Sequence, residues 1–151
     1  MAGFGVNERR LWEEDPAWQG FRELMEKALI AWDWGEAFAA VNLVAKPAIE
    51  ETLLGTLGAA ARAEGDTVYG LLSQAQMRDA ERHRRWASAL VAMALQADSN
   101  RDVLLSWLTR WLPLAHTAID QYCQYLPDGN DAAVAAKDRL AAFHAGLGLG
   151  V

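Results

Sequence analysis

Apolar residues in most of this chain recur every three or four positions, the spacing of one face of an α-helix, and they almost never alternate with polar residues as in a strand. The first such segment follows Asp15-Pro16, where Asp can accept bonds from free backbone N–H groups and Pro fits the first helical position. It is predicted to end near Trp32. Its apolar positions are Trp18, Phe21, Leu24, Met25, Leu29 and Trp32. The pattern predicts an all-α protein.

Two long helices are predicted in the centre of the chain, over residues 33–63 and 67–96. Between them, Gly65 and Asp66 are typical of a helix stop followed by a new N-cap. Each helix has about 30 residues and is roughly 45 Å long at 1.5 Å per residue. The short connection predicts a long antiparallel αα-hairpin. Because Pro47 has no backbone N–H, a kink or a break is expected there.

Shorter helices are predicted to flank this hairpin. One covers residues 99–126, with Ser99 and Asp102 as a capping box and a kink at Pro113. Another, capped by its first residue, covers residues 131–145. Two long helices with shorter ones beside them are typical of half of a larger helical bundle.

The 151 residues are predicted to form a single helical domain, with an N-terminal tail over 1–14, helices over 15–145 and a flexible, glycine-rich tail over 146–151. The net charge of −6 argues against nucleic acid, since phosphate binding needs a basic face. Cys123 is the only cysteine, which excludes an intrachain disulfide and a Cys-based zinc site. With no secretory leader and no run of about 20 apolar residues, we expect a cytoplasmic protein that does not enter the membrane.

Seven Trp residues in a chain of this length allow two interpretations. They can pack in the core, or several can lie in a subunit interface, where Trp is enriched. The basic run after residue 77 could meet acidic groups of a partner. The interface candidates are Trp12, Trp18, Trp32, Trp34, Arg84, Arg85 and Trp86.

The predicted helix 67–96 carries the residues that bear most on chemistry. Its apolar seam is taken as Val68, Leu72, Ala75, Asp79, His83, Trp86, Leu90 and Met93. Asp79 and His83 then lie on the buried face, one turn apart. A buried charge must be paired, so Asp79 is expected to contact Arg82 or His83.

Carboxylate-bridged di-iron bundles use Glu-x-x-His on a helix that faces the core, because residues i and i+3 can bind one metal. Here Ala80 stands three residues before His83, and a methyl group cannot bind iron. The other two histidines are preceded at the same interval by Pro113 and Ala141, so no second motif exists. The segment Asp79, Ala80, Arg82 and His83 is interpreted either as a relic of a metal site or as an ordinary core pair. Possible carboxylate ligands from the preceding helix are Glu36, Glu50 and Glu51.

Three segments carry a resemblance to a known family: Leu11-Trp12-Glu13-Glu14-Asp15-Pro16-Ala17-Trp18-Gln19, Ala31-Trp32-Asp33-Trp34-Gly35-Glu36-Ala37 and Val41-Asn42-Leu43-Val44-Ala45-Lys46-Pro47. Over about residues 3–126 the chain resembles the C-terminal half of the β subunit of bacterial multicomponent di-iron monooxygenase hydroxylases, of the toluene, alkene and propane type. The stretch that contains Asp79-Ala80-Glu81-Arg82-His83 is similar to the Asp-Glu-x-Arg-His motif of their catalytic α subunits, with Ala80 in place of the ligand Glu.

The resemblance implies a ferritin-like fold with no iron site on this chain. It implies an α subunit as partner, which holds the di-iron centre and hydroxylates or epoxidises a hydrocarbon with O2 and with electrons from NADH. A γ subunit and an effector protein are further expected partners. Because such β subunits are about twice this length, two alternatives stay open. The chain could be a half-length ferritin-like protein that homodimerises to build a metal-binding enzyme, or an interaction or regulatory module.

Overall fold

The structure is a computed structural model that describes residues 7–150. Within this range the chain forms six helices and no strand, which confirms the all-α class. The helices are α1 (Glu8–Glu14), α2 (Pro16–Leu29), α3 (34–63), α4 (Thr67–Ala94), α5 (Ser99–Cys123) and α6 (Gly129–Gly146). The predicted N-terminal tail is therefore wrong for residues 8–14, which are helical, while residues 1–6 lie outside the described range.

Three of the helices begin where an Asp side chain can accept a backbone N–H. Asp15 accepts from Ala17 at 2.9 Å and Asp33 from Glu36 at 2.8 Å. Asp66 caps α4 in the same way, after Gly65 has adopted a left-handed φ of 87°. These starts were predicted, because each rests on contacts over two or three residues. Helix α5 also begins at Ser99 as predicted, but the side-chain caps predicted for α5 and α6 were wrong, since neither helix has one.

Helix α3 is continuous through Pro47 and does not break there. It alternates between α and π segments, which are Trp34–Phe38 (α), Ala39–Ala45 (π), Lys46–Ile49 (α), Glu50–Leu57 (π) and Gly58–Ala63 (α). At the end of the first π segment the Lys46 N–H bonds to the Val41 carbonyl, five residues back. The wider turn relieves the crowding that a proline ring causes against the carbonyl four residues before it.

Helices α3 and α4 form the predicted antiparallel hairpin. Tyr69, near the start of α4, donates its hydroxyl to the Leu53 carbonyl in the second half of α3 at 3.0 Å. His83, further along α4, contacts Asn42 in the first half of α3 at 2.9 Å. The contacts therefore run in opposite directions along the two helices, as the three-residue connection requires.

The core lies mainly between α2, α3, α5 and α6. Phe21 and Leu24 of α2 are fully buried, and so are Leu108 and Ile119 of α5. At Gly20 the backbones of α2 and α5 approach so closely that an added Cβ would lie 2.5 Å from the Ala118 Cα. This crossing fixes α2 against the long helices.

The face of α4 that packs on the rest of the chain differs from the predicted seam. Its buried residues are small, apart from one Val: Gly70, Ser73, Ala80, Ala87 and Val91. Val68, Leu72, Trp86 and Met93, taken as buried, are instead exposed. We call Val68, Leu72, Ala75, Asp79, Arg82, Trp86 and Met93 the outer stripe; all seven are exposed.

Residues 147–149 pack against the core, contrary to the flexible tail that was predicted over 146–151, while residue 151 lies outside the described range. Gly148 has a φ of 73°, and the N–H groups of Gly148 and Leu149 bond to the Ala145 and His144 carbonyls. This is the Schellman arrangement that ends many helices. It turns Leu149 inward, where the side chain is fully buried.

Candidate functional site

Two neighbouring carboxylates are buried where α3 packs on α4. Glu50 and Glu51 belong to the second π segment, and each side chain is only 6% exposed. Arg84 of α4 reaches both, with Nε 3.0 Å from Glu50 Oε2 and Nη1 2.6 Å from Glu51 Oε1. One guanidinium thus pairs with two carboxylates, a geometry to which its planar fork is suited.

Two more cations complete this buried ion cluster, which consists of Lys46, Glu50, Glu51, Arg84 and Arg139. Arg139 of α6 places Nε 2.5 Å from Glu51 Oε2, and Lys46 pairs with Glu50 one turn away on α3. Every carboxylate oxygen of the pair therefore has a cationic partner. Buried charges are tolerated only when paired and hydrogen-bonded, so the cluster ties α3, α4 and α6 together.

Three residues of the sequence-predicted metal position, Asp79, Ala80 and His83, line one groove between α3 and α4 but differ in burial. Ala80 is buried and His83 half-buried, and both line a groove with Glu50 and Lys46. Asp79 does pair with Arg82, but the two side chains are 66% and 68% exposed. The expectation of a buried Asp79 link was therefore wrong, because α4 is rotated so that Ala80 rather than Asp79 faces α3.

The residues of this groove do not fit a di-iron centre. Ala80 offers a methyl group where the motif needs a carboxylate, and His83 Nε2 is engaged by Asn42 Oδ1 at 2.9 Å. The carboxylates that line the groove are Glu50, whose two oxygens are bound by Lys46 and Arg84, and Asp79, which pairs with Arg82. Among the described residues 7–150, no three His, Cys, Asp or Glu side chains are arranged to hold a metal ion.

His144 has a role that sequence reasoning missed. It is buried on α6, and its Nε2 lies 2.7 Å from the Leu43 carbonyl of α3. In an α-helix that carbonyl would accept the N–H of residue 47, but residue 47 is proline and has none. We therefore assign the proton to Nε2, so that the imidazole donates the bond that Pro47 cannot. The signal was present in the sequence as Pro47, but nothing local pointed to a histidine 101 residues away.

Burial lowers the pKa of His144 below its ordinary value of 6.5, and the nearby His116 and Arg84 lower it further against the raising effect of the Leu43 bond. The pKa of His116 is also lowered, chiefly by burial and then by Lys137. Both imidazoles are therefore favoured in their neutral form.

The interface candidates divide into exposed and internal residues. Trp32 is fully exposed, Trp34 is 74% exposed, and Trp12, Arg85 and Trp86 also face solvent. Trp18 instead packs edge-on against Tyr122, with ring centroids 5.0 Å apart. Arg84 is part of the buried ion cluster. Both residues are half-buried and make contacts within the chain, and their role in an interface stays a prediction.

The exposed Trp32 and Trp34 lie beside two concave regions. Trp34 stacks on Phe38 at 5.8 Å and lines an apolar cavity of about 250 Å³ with Trp107. Trp32 and Glu36 line the second region, where the Glu36 carboxylate accepts from Arg110 at 2.7 Å and from the Trp111 indole at 3.1 Å. The turn between α2 and α3 therefore presents large apolar side chains on a well-fixed base.

No helix in the described part of the chain is both long and apolar enough to cross a membrane.

The fold and this site define a class of protein. It is a ferritin-like helical chain in which Lys and Arg side chains of the same chain pair with the buried Glu side chains of the α3–α4 hairpin. A family model described as methane/phenol/alkene hydroxylase matches residues 1–98. Since this is more than half of the chain, the protein belongs to that hydroxylase family.

One relative is the β subunit of the hydroxylase component of the toluene-4-monooxygenase system from Ectopseudomonas mendocina. It is 50% identical over 125 residues, which cover 83% of this chain but 38% of the relative. A solved structure of toluene 4-monooxygenase, with toluene bound in the resting active site, matches with a TM-score of 0.77 and 50% identity, over 80% of this chain and 40% of that one. The chain therefore spans less than half the length of the proteins it matches.

A structure of xenon-pressurised phenol hydroxylase from Pseudomonas sp. OX1 matches with a TM-score of 0.85 over 99% of this chain and 46% of that one. At 23% identity this likeness concerns the fold, and it confirms the ferritin-like architecture.

Proposed function

We propose that this chain is a non-catalytic, β-type structural subunit of a di-iron hydrocarbon monooxygenase hydroxylase. A larger α subunit would carry the iron and perform the O2-dependent hydroxylation or epoxidation. The observation that carries the proposal is the buried ion cluster, in which Arg84, Lys46 and Arg139 bind the carboxylates that a catalytic hairpin would offer to metal. Similarity to a relative named as a hydroxylase β subunit supports it.

The surface proposed for the α subunit is the turn between α2 and α3. Leu29, Ile30, Trp32 and Trp34 are each more than 70% exposed there. Aromatic side chains in such positions are typical of interface hot spots, where they fill pockets of a partner. Trp12 and Arg85 are further candidates on the exposed surface. The assembly is proposed to be cytoplasmic, to draw electrons from NADH through a reductase, and to include a γ subunit and an effector protein.

The test is to co-express this chain with the iron-bearing α subunit of a toluene-type hydroxylase and to purify through a tag on this chain alone. We expect a stoichiometric complex by native mass spectrometry, with iron found in the complex and less than about 0.1 iron per chain in this protein alone. Iron bound stoichiometrically by the isolated chain would overturn the non-catalytic role. Failure to capture any α subunit would overturn the subunit role.

Variants locate the interface. Trp32→Ala combined with Trp34→Ala should weaken capture of the α subunit at least about tenfold, because exposed hot-spot aromatics each contribute about 2 kcal/mol or more. Tyr125→Ala is the matched control. Tyr125 is also an exposed aromatic residue, but it follows the C-terminal end of α5 and is not part of the turn between α2 and α3. Equal effects of the two changes would contradict this placement of the interface.

A further inference from the structure

The apolar cavity beside Trp34 is bounded by three helices of this chain, α3, α4 and α5. Two of the side chains that line it, Val91 of α4 and Leu104 of α5, are buried, at 1% and 5% exposure. Phe38 of α3 and Trp107 of α5 also line it, and both are half-buried. The cavity is therefore a space left within the packing of these three helices on one another.

The chemistry of the lining favours a neutral, apolar occupant. Among the described residues, no charged side chain lines the cavity, and Asn100 supplies its one amide. That amide is already engaged, because Asn100 Nδ2 donates to the Ala94 carbonyl at 2.9 Å. A buried water needs about two to four polar partners, and a charged ligand would lose its hydration without a replacement. Water and ions are therefore poorly held in this space.

The size of the cavity limits the size of the occupant. An apolar protein cavity of about 150 Å³ is large enough to bind benzene. This cavity has a volume of about 250 Å³, so it has room for a ring system between benzene and naphthalene in size. A helix with its side chains is about 10–12 Å wide, which excludes a helix of a partner protein from the space.

Aromatic rings on two helices face this space. Trp34 stacks on Phe38 with ring centroids 5.8 Å apart, and both rings line the cavity from α3. The Trp107 ring approaches α3 closely because Gly35 has no side chain, since an added Cβ there would lie 2.7 Å from Trp107 Cη2. Aromatic rings prefer edge-to-face or offset contact with one another, so these walls suit an aromatic ligand.

We propose that this cavity is a binding site for a small neutral hydrocarbon, which lies among the rings of Trp34, Phe38 and Trp107. The binding itself needs no iron and no partner chain. Its consequence for a hydroxylase, a hydrocarbon held on the subunit that does not oxidise it, rests on the proposed function.

The first experiment titrates benzene into the 151-residue chain in a calorimeter. We expect one saturable site per chain with a dissociation constant of about 1 mM or tighter. Benzoate is the matched control ligand, because it has the same ring and adds a charge. It should bind at least about tenfold more weakly, since the lining offers its carboxylate no partner. Bromobenzene soaked into crystals of the chain should give an anomalous bromine signal inside the cavity.

The second experiment fills the cavity. Ala94→Phe adds a ring at a residue that lines the cavity, and it should weaken benzene binding at least about tenfold. Ala89→Phe is the matched control, because it makes the same change at an exposed residue of α4 that does not line the cavity, and it should leave binding unchanged. Val103→Trp is a second filling variant, at a lining residue that is 41% exposed and therefore tolerant of substitution. Circular dichroism verifies that each variant is folded.

Any of four results would overturn the proposal: no saturable binding of benzene, equal affinity for benzoate, bromine located outside the cavity, or filling variants that bind benzene as well as A89F does. None of them depends on iron or on capture of an α subunit. The hydrocarbon site and the proposed hydroxylase role can therefore fail separately.

Discussion

Arg84 is the residue on which the buried ion cluster depends most. It holds two carboxylates that are each only 6% exposed. We expect Arg84→Met to lower the free energy of unfolding by about 3–5 kcal/mol, because it leaves buried charge without its partner. Urea denaturation measures the loss.

The control for Arg84 is Arg9→Met, which removes an exposed ion pair with Glu13 on α1. Such pairs contribute about 0–1 kcal/mol, so little change is expected. A loss at Arg84 no larger than at Arg9 would contradict the account of the cluster.

The bond from His144 to the Leu43 carbonyl makes a second prediction at this scale. His144→Leu should lower the free energy of unfolding by about 1–3 kcal/mol, because a buried carbonyl then lacks a donor. In a Pro47→Ala background the same change should cost less, since residue 47 regains an N–H that can reach Leu43. A double-mutant cycle in urea measures the difference. Strict additivity of the two changes would refute the link between Pro47 and His144.

The pH dependence of stability follows from the same residue. Burial lowers the pKa of His144 in the folded chain below 6.5, so below that pH the unfolded chain binds more protons than the folded one. Stability should be full above about pH 6.5 and should fall as the pH drops towards the folded-state pKa. Thermal unfolding between pH 7.5 and 5 measures this, and His144→Leu should flatten the curve. His116, whose pKa is also lowered by burial, contributes to the slope that remains.

At the scale of the helices, close packing of α2 on α5 depends on the absence of a side chain at residue 20. Gly20→Ala would bring a Cβ to 2.5 Å from the Ala118 Cα, and backbone atoms cannot rotate away. We expect a loss of about 1–3 kcal/mol in the free energy of unfolding, measured by urea denaturation.

Gly146→Ala provides the comparison for Gly20. It makes the same change in a helix where nothing lies within 4 Å of the new Cβ. At residue 146 the Ala lowers the conformational entropy of the unfolded chain. The free energy of unfolding should therefore stay unchanged or rise by up to about 1 kcal/mol. If both substitutions changed the free energy of unfolding in the same direction, the close approach of α2 and α5 would not be what decides the effect at Gly20.

At the scale of the whole molecule, the C-terminal residues close the core. Leu149 is fully buried although it is two residues from the end of the chain. Leu149→Ala should lower the free energy of unfolding by about 2–5 kcal/mol, as for other core Leu residues. Leu29→Ala, at a Leu that is 81% exposed, should change it by no more than about 0.5 kcal/mol. Thermal melts of the two variants compare them directly.

Exposed apolar surfaces also belong to the scale of the whole molecule, because they determine how the chain assembles with others. Among the described residues, two groups of large apolar side chains that are strongly exposed are the turn around Trp32 and the outer stripe of α4. The sequence interpretation placed the stripe in the core, because its spacing is that of a buried seam. The helical spacing of these residues is real, but the described part of the chain does not cover the face that they form. Periodicity identifies an apolar face without identifying what covers it.

The sequence by itself determined the helices, most of their boundaries and the family. Capping by Asp15, Asp33 and Asp66 acts over two or three residues, so it can be recognised from the order of residues alone. The missing ligand at Ala80 was also evident, because the motif spacing is local to one helix. Each of these inferences rests on interactions within about one helical turn.

Only the tertiary structure decided which face of α4 is buried and which charges are paired. Helix α4 has two faces that could pack, and the small residues around Ala80 are buried against α3 because they let the backbones approach closely. That choice exposes Asp79 and turns Arg84 towards Glu50 and Glu51, which are 34 and 33 residues away in sequence. Such pairings depend on how whole helices are rotated and crossed, and local sequence patterns do not encode that rotation.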